Sequence, residues 1–159
     1  MMRGKSVKKR IIEKDPVYNS RLVTKLINRS MISGKKAVAE KHVYGAFDII
    51  KSKTKKDPLE VLEIALKNIS PQMEVRSRRV GGAAYQVPMP VKTHRANSLA
   101  IRWLVTEAQK LPNKEHHTYM EKLATEIIGA STNEGRAIQK KTTSHKMADA
   151  NKAFAHFRW

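Results

Sequence analysis

At 159 residues the chain has the length of a single domain, 1–159, and can bury roughly 70% of the surface it exposes when unfolded. Leu, Ile, Val and Phe supply 35 of the 159 residues, just above the level at which a highly charged chain stays disordered, so the core is modest. Thirty-two Lys and Arg against 14 Asp and Glu leave +18, a surface that seeks a polyanion and not a small acidic metabolite; the absence of cysteine excludes disulfides, a thiolate nucleophile and Cys-ligated zinc.

Residues 1–14 read as a basic N-terminal arm. Arg3, Lys5, Lys8, Lys9, Arg10 and Lys14 stand against Glu13 alone, a composition that stays solvated until it meets a phosphate backbone. Ile11 and Ile12 run straight into Glu13-Lys14-Asp15-Pro16, which leaves no apolar stretch for a signal peptide, and no later segment is apolar for long enough to span a membrane. A cytoplasmic protein with no membrane partner is expected.

After Asp15-Pro16, Leu22, Val23, Leu26, Ile27 and Met31 recur at helical spacing, with Asn19 or Ser20 as cap and Ser33-Gly34 as stop. A second helix begins near Lys35, carries Ala39, Val43, Ala46, Phe47 and Ile50 on one face, and is expected to dissolve into a basic loop over Lys51–Lys56. Asp57-Pro58-Leu59-Glu60 opens a third helix with an N-cap acid, Pro at the first position and a reciprocal Glu; Leu62, Ala65, Leu66 and Ile69 form its stripe and Ser70-Pro71 ends it.

Over residues 72–91 the period changes to two. Met73 and Val75 alternate with Glu74, Arg76 and Arg78, and Tyr85, Val87, Met89 and Val91 alternate across Gln86, Pro88 and Pro90, with Gly81-Gly82 between the runs. This is a β-hairpin whose prolines confine the second strand to an edge or a free ribbon. Helical spacing returns with Ala96, Leu99, Ala100, Trp103, Leu104 and Ala108, then with Met120, Leu123, Ala124, Ile127 and Ile128 behind a Thr118/Glu121 capping box. A last helical segment over about 133–155 has a thin stripe of Ile138, Met147, Ala148 and Phe154. The fold class is mainly α: a bundle of about six helices with one protruding β-hairpin ribbon.

No catalytic constellation emerges. Gly34-Lys35-Lys36 superficially resembles a phosphate loop, but Arg29 stands where the first Gly belongs and Lys36 where Ser or Thr would hold magnesium; it reads instead as an interhelix turn whose lysines face phosphate. The six His form no HExxH pattern, adjacent His116 and His117 read as a solvated helix start, and the carboxylates are scattered among lysines. No metal and no cofactor is expected. Arg76, Arg78 and Arg79 on the hairpin, with Tyr85 opposite, offer bidentate phosphate contact and base stacking. Arg95 and Arg102, seven residues apart on one helix, extend that surface, while Trp103 belongs to the core stripe.

The same segments resemble the small-subunit ribosomal protein seven family in its bacterial form. The resemblance rests on Asp15-Pro16-Val17-Tyr18, Leu22 to Asn28, Gly34-Lys35-Lys36, Asp57-Pro58-Leu59-Glu60, the hairpin from Glu74 to Gly82 with Tyr85-Gln86-Val87-Pro88, Arg102-Trp103-Leu104, and His145-Lys146-Met147-Ala148 running to Phe154-Ala155-His156-Phe157-Arg158-Trp159. It implies a structural constituent of the small ribosomal subunit, not an enzyme, that binds the head-domain rRNA and nucleates assembly of the head. Contacts to rRNA are then expected from Arg3, Lys8, Lys9, Arg10, Lys35, Lys36, Arg76, Arg78, Arg79, Arg95 and Arg102. Arg78, Arg79, Gly81, Gly82 and Tyr85 on the ribbon are expected near exit-site tRNA and the mRNA path, and the C-terminal region near small-subunit ribosomal protein eleven.

The alternative is a DNA-binding regulator that uses residues 20–50 as a helix-turn-helix around Gly34. A recognition helix presents polar side chains to base edges, whereas Val43, Tyr44, Phe47 and Ile50 look committed to packing. An RNA-processing enzyme is a third class, and it lacks an acid, base or metal constellation.

Overall fold

A computed structural model describes residues 11–157. The elements run α1 (Arg21–Ser30), α2 (Lys36–Thr54), α3 (Pro58–Ile69), β1 (Met73–Val80), β2 (Ala83–Pro90), α4 (Thr93–Gln109), α5 (Tyr119–Ser131) and α6 (Arg136–Ala150), followed by a 3-10 helix at Lys152–Phe157. Helix starts are set by local chemistry. Ser20 accepts from the Leu22 amide and Asp57 from the Leu59 amide, with Pro58 at the first helical position. At α5 the capping box is complete, Thr118 accepting from Glu121 N–H while Glu121 returns the bond. Glu60 makes no such return bond to Asp57 among the described residues, so the reciprocal cap expected there is only half built.

The apolar stripes meet where periodicity places them. α5 packs against α2, α3 and α4, and Leu123, Ala124 and Ile127 lie fully buried with Val43, Phe47, Leu62, Ala65 and Leu104. α2 and α5 touch at Gly45, where a Cβ would run into the Met120 sulfur, so any larger residue there displaces the Met120 side chain. Trp103 is half-buried against the same core.

Two helical expectations need correction. The lysine run after Ile50 is not a loop: α2 continues through Thr54, whose hydroxyl donates to Ile50 O. Lysines 51 and 53 lie in its last turn, where cations complement the negative end of the helix dipole, and Lys55 closes it at φ 56°. The last segment is not one helix either. Asn151 Nδ2 donates to Met147 O, taking a carbonyl of the last turn of α6, and the chain tightens into the 3-10 helix. Of the expected stripe Met147 is 51% exposed, whereas Ala148 is buried as its spacing requires, and Ala137 is buried on α6 as well.

The hairpin is a two-stranded antiparallel sheet with Val80 paired to Ala83. Its two-residue turn places Gly81 at φ 57° and Gly82 at φ 90°, the positive-φ pair that such a turn needs to match strand twist. The ribbon is not bare, however. β2 packs against the 3-10 helix and both strands against α6, and the Gln72 amide donates to His145 Nε2 on α6 at 3.1 Å.

Candidate nucleic-acid interface

The Asp15-Pro16-Val17-Tyr18 motif is an anchor. Buried Asp15 accepts from the amides of Val17 (3.1 Å) and Tyr18 (2.9 Å) through one oxygen and from Tyr44 Oη (2.7 Å) through the other. Burial, and then the bond to Asp15, push the Tyr44 phenol well above its ordinary 10.0. A few residues before the anchor, Glu13 O accepts from Thr24 Oγ1 on α1 at 3.0 Å, which lays the start of the described chain along that helix. Arg3, Lys8, Lys9 and Arg10 lie outside the described residues.

Ile12 is thereby placed at a hollow of about 340 Å³ between α1 and α4. Lys25, Asn28 and Arg29 come from α1, and His94, Ser98 and Arg102 from α4. Arg29 and Arg102 are exposed, and neither makes an ion pair among the described residues. Sequence reasoning assigned Arg102 and missed Lys25 and Arg29. Their signal was present: they stand four apart on an amphipathic helix, hence on one face outside the apolar stripe.

The ribbon's arginines do not share a surface. Directly opposed residues point to one face of a sheet, and the register pairs Glu74 with Met89, Arg76 with Val87 and Arg78 with Tyr85. Arg76 and Arg78 therefore share a face with Val87, which is fully buried, while Arg79, opposite Ala84, points the other way. Met73 and Val75 share the Arg79 face. Tyr85 is not a free stacking platform, because its ring lies 5.4 Å from that of Phe154 and 5.0 Å from that of Phe157, and so it joins β2 to the 3-10 helix.

Arg76 and Arg95 are brought together by a residue that sequence reasoning left out. Glu74 is 8% exposed; its Oε1 accepts from Arg76 Nε, and both of its oxygens accept from Arg95 Nε, at 2.9 and 2.7 Å. Glu74 pairs with both cations, so neither is the unengaged charge that composition suggested. Arg95 lies in the first turn of α4 and Arg102 farther along it, so this helix connects the ribbon's base to the hollow. Lys35 and Lys36 stand at the α1–α2 turn, where Lys36 pairs with Glu40 at 3.5 Å and remains largely exposed.

Among the described residues no three His, Asp or Glu come together as metal ligands. One buried carboxylate, Glu126, has its pKa raised, chiefly by burial. It accepts from the Ala137 amide at 2.7 Å and so caps the start of α6. The helix-turn-helix reading fails on α2: Val43, Phe47 and Ile50 are fully buried and Tyr44 is bonded to Asp15, leaving no recognition face along that side. No helix of the described residues is long and apolar enough to cross a membrane.

Residues 2–152 match the family model described as ribosomal protein S7p/S5e. Among relatives, the small ribosomal subunit protein uS7 of Caldicellulosiruptor bescii is 58% identical over 159 residues, all of both chains. That of Thermoanaerobacter sp. strain X514 is 57% identical over 159 residues, again all of both. That of Thermotoga maritima is 56% identical over 158 residues, 99% of this chain and 100% of its own.

Proposed function

The chain belongs to the ribosomal protein S7p/S5e family, and from that premise we propose that it is a structural, non-enzymatic constituent of the small ribosomal subunit, which binds the rRNA of the subunit head and helps nucleate head assembly. The observation that carries this reading is the solvent face of α4. It runs from the Arg95 guanidinium at the ribbon's base to Arg102 in the hollow, where Lys25 and Arg29 join it. Phosphates along one stretch of folded RNA fit this face, since cations on a rigid helix fix the register of the backbone while exposed loops and bases supply the sequence. The arm residues Arg3, Lys8, Lys9 and Arg10, together with Lys35 and Lys36, extend the same contact to further phosphates.

The ribbon tip serves a second neighbour. Arg78, Arg79, Gly81 and Gly82 approach exit-site tRNA and the mRNA path, with Tyr85 bracing the ribbon through its tilted ring contacts with Phe154 and Phe157. The C-terminal region approaches small-subunit ribosomal protein eleven, and residues 1–159 act as one RNA-binding domain. Competition of head-domain rRNA against duplex DNA of equal length tests the reading. Strong preference for the rRNA is expected; equal affinity for both would overturn it, and a crosslinking map on assembled subunits checks the individual contacts.

A further inference from the structure

A carboxylate on a surface that meets a polyanion opposes binding, yet Glu74 sits at the centre of this one. It is buried, it lies on the same ribbon face as Arg76, and it holds Arg95 from the first turn of α4 by two bonds. Each guanidinium carries five N–H donors. Arg76 uses Nε and Nη2 on Glu74 and Arg95 uses Nε, so among the described residues both Nη groups of Arg95 and the Nη1 group of Arg76 have no partner. The two side chains are still 48% and 47% exposed.

We propose that Glu74 is a positioning residue for RNA binding: its carboxylate gathers the Arg76 and Arg95 guanidiniums into one fixed pair that takes a single backbone phosphate. The proposal rests on the RNA-binding reading above and adds to it the residue that sets the geometry. Two unpaired arginines this close repel one another and sample many rotamers, and ordering them on binding is costly. With Glu74 between them the trio keeps one net positive charge and its planar forks are already oriented. The frame behind them is stiff, because Glu74 is paired to Met89 in the ladder and the Val91 amide donates to Gln72 O at 2.9 Å, joining the ribbon's base to the residues that lead into α4.

The test uses the full chain, a head-domain rRNA fragment, and an unrelated structured RNA of equal length. Glu74→Gln removes a negative charge, so by net charge alone it strengthens binding to both RNAs. Positioning forecasts the reverse for the head fragment, a loss of about tenfold or more, with unchanged or tighter binding to the unrelated RNA. Within the same series Arg76→Ala weakens head binding in the parent chain and much less in the Glu74→Gln background. If Glu74→Gln does not fold, Arg76→Lys and Arg95→Lys keep the charge but lose the fork, and each weakens head binding at unchanged net charge. A Glu74→Gln protein whose folded fraction binds the head fragment as tightly as the parent, or lysine variants that do so, would overturn the proposal and leave the trio a tie between ribbon and α4. If the parent itself does not prefer the head fragment, the functional reading falls and this proposal with it.

Discussion

Replacing Arg29 and Arg102 together by Ala removes the two exposed arginines that line the α1–α4 hollow, one from each helix. Neither pairs with a carboxylate among the described residues, so each substitution should change stability by no more than about 0.5 kcal/mol. Binding should respond differently. If each arginine neutralises one phosphate, the slope of log affinity against log salt becomes shallower by about 0.7 to 0.9 per residue, hence about 1.4 to 1.8 for the pair. A charged hydrogen bond contributes about 1.5 to 3 kcal/mol at most, and exposure reduces that. A combined loss of about 1.5 to 3 kcal/mol follows, roughly 10- to 150-fold at one fixed salt concentration. Fluorescence anisotropy with labelled head-domain rRNA over a salt series reads both quantities, and thermal melts read stability. Lost affinity with an unchanged salt slope would show that these arginines do not neutralise phosphate. A variant that melts far lower while its folded fraction binds normally would make them structural.

Val87→Ala empties space at a fully buried point under the ribbon and should cost about 1 to 3 kcal/mol in denaturant unfolding, with little change in affinity of the folded fraction. Replacing Phe154 and Phe157 by Ala removes the ring contacts to Tyr85 and should speed amide exchange in β2 while leaving α2 and α5 protected; unchanged exchange in β2 would mean that α6 alone seats the ribbon. Glu126 has a folded pKa raised above its ordinary 4.5, first by burial, so its favourable contribution is complete below 4.5 and is lost as pH rises through the folded value. Glu126→Gln should therefore raise the melting temperature relative to the parent most at neutral pH, with the difference vanishing below about 4.5; an equal shift at all pH values would exclude burial of the charge as its cause.

The helical scaffold was legible because each stripe has a length, a period and a cap that agree. Leu62, Ala65, Leu66 and Ile69 are all buried as their spacing requires, and Asp57 and Thr118 cap the helices they precede. Where the reading failed, a tertiary or terminal interaction outweighed local composition. A lysine run looks like loop by charge density, yet at a helix C-terminus the dipole favours the same lysines. Met147 fits the α6 stripe by spacing, but that helix buries alanines, and the larger apolar side chains of this region, Phe154 and Phe157, turn instead toward Tyr85.

The candidate interface was legible as a quantity of charge and much less as a set of free cations, for a physical reason. Net charge counts Arg76 and Arg95 as it counts Arg29 and Arg102, but the ladder and the start of α4 bring a buried carboxylate to the first two and none to the others. Period two placed Glu74, Arg76 and Arg78 on one face, but Arg79 was grouped with the other two arginines until the strand register separated it; the partnership with Arg95, 21 residues away, carried no signal in the sequence. It follows that a triple replacement of Arg76, Arg78 and Arg79 mixes two effects. Loss of Arg76 leaves Glu74 buried with half its counter-charge and should lower stability, whereas loss of exposed Arg79 should not. Replacing Arg79 alone and Arg76 alone, each measured by melting and by head-rRNA affinity, separates them: Arg79→Ala should melt like the parent, and if Arg76→Ala does so too, the buried carboxylate is satisfied by Arg95 alone.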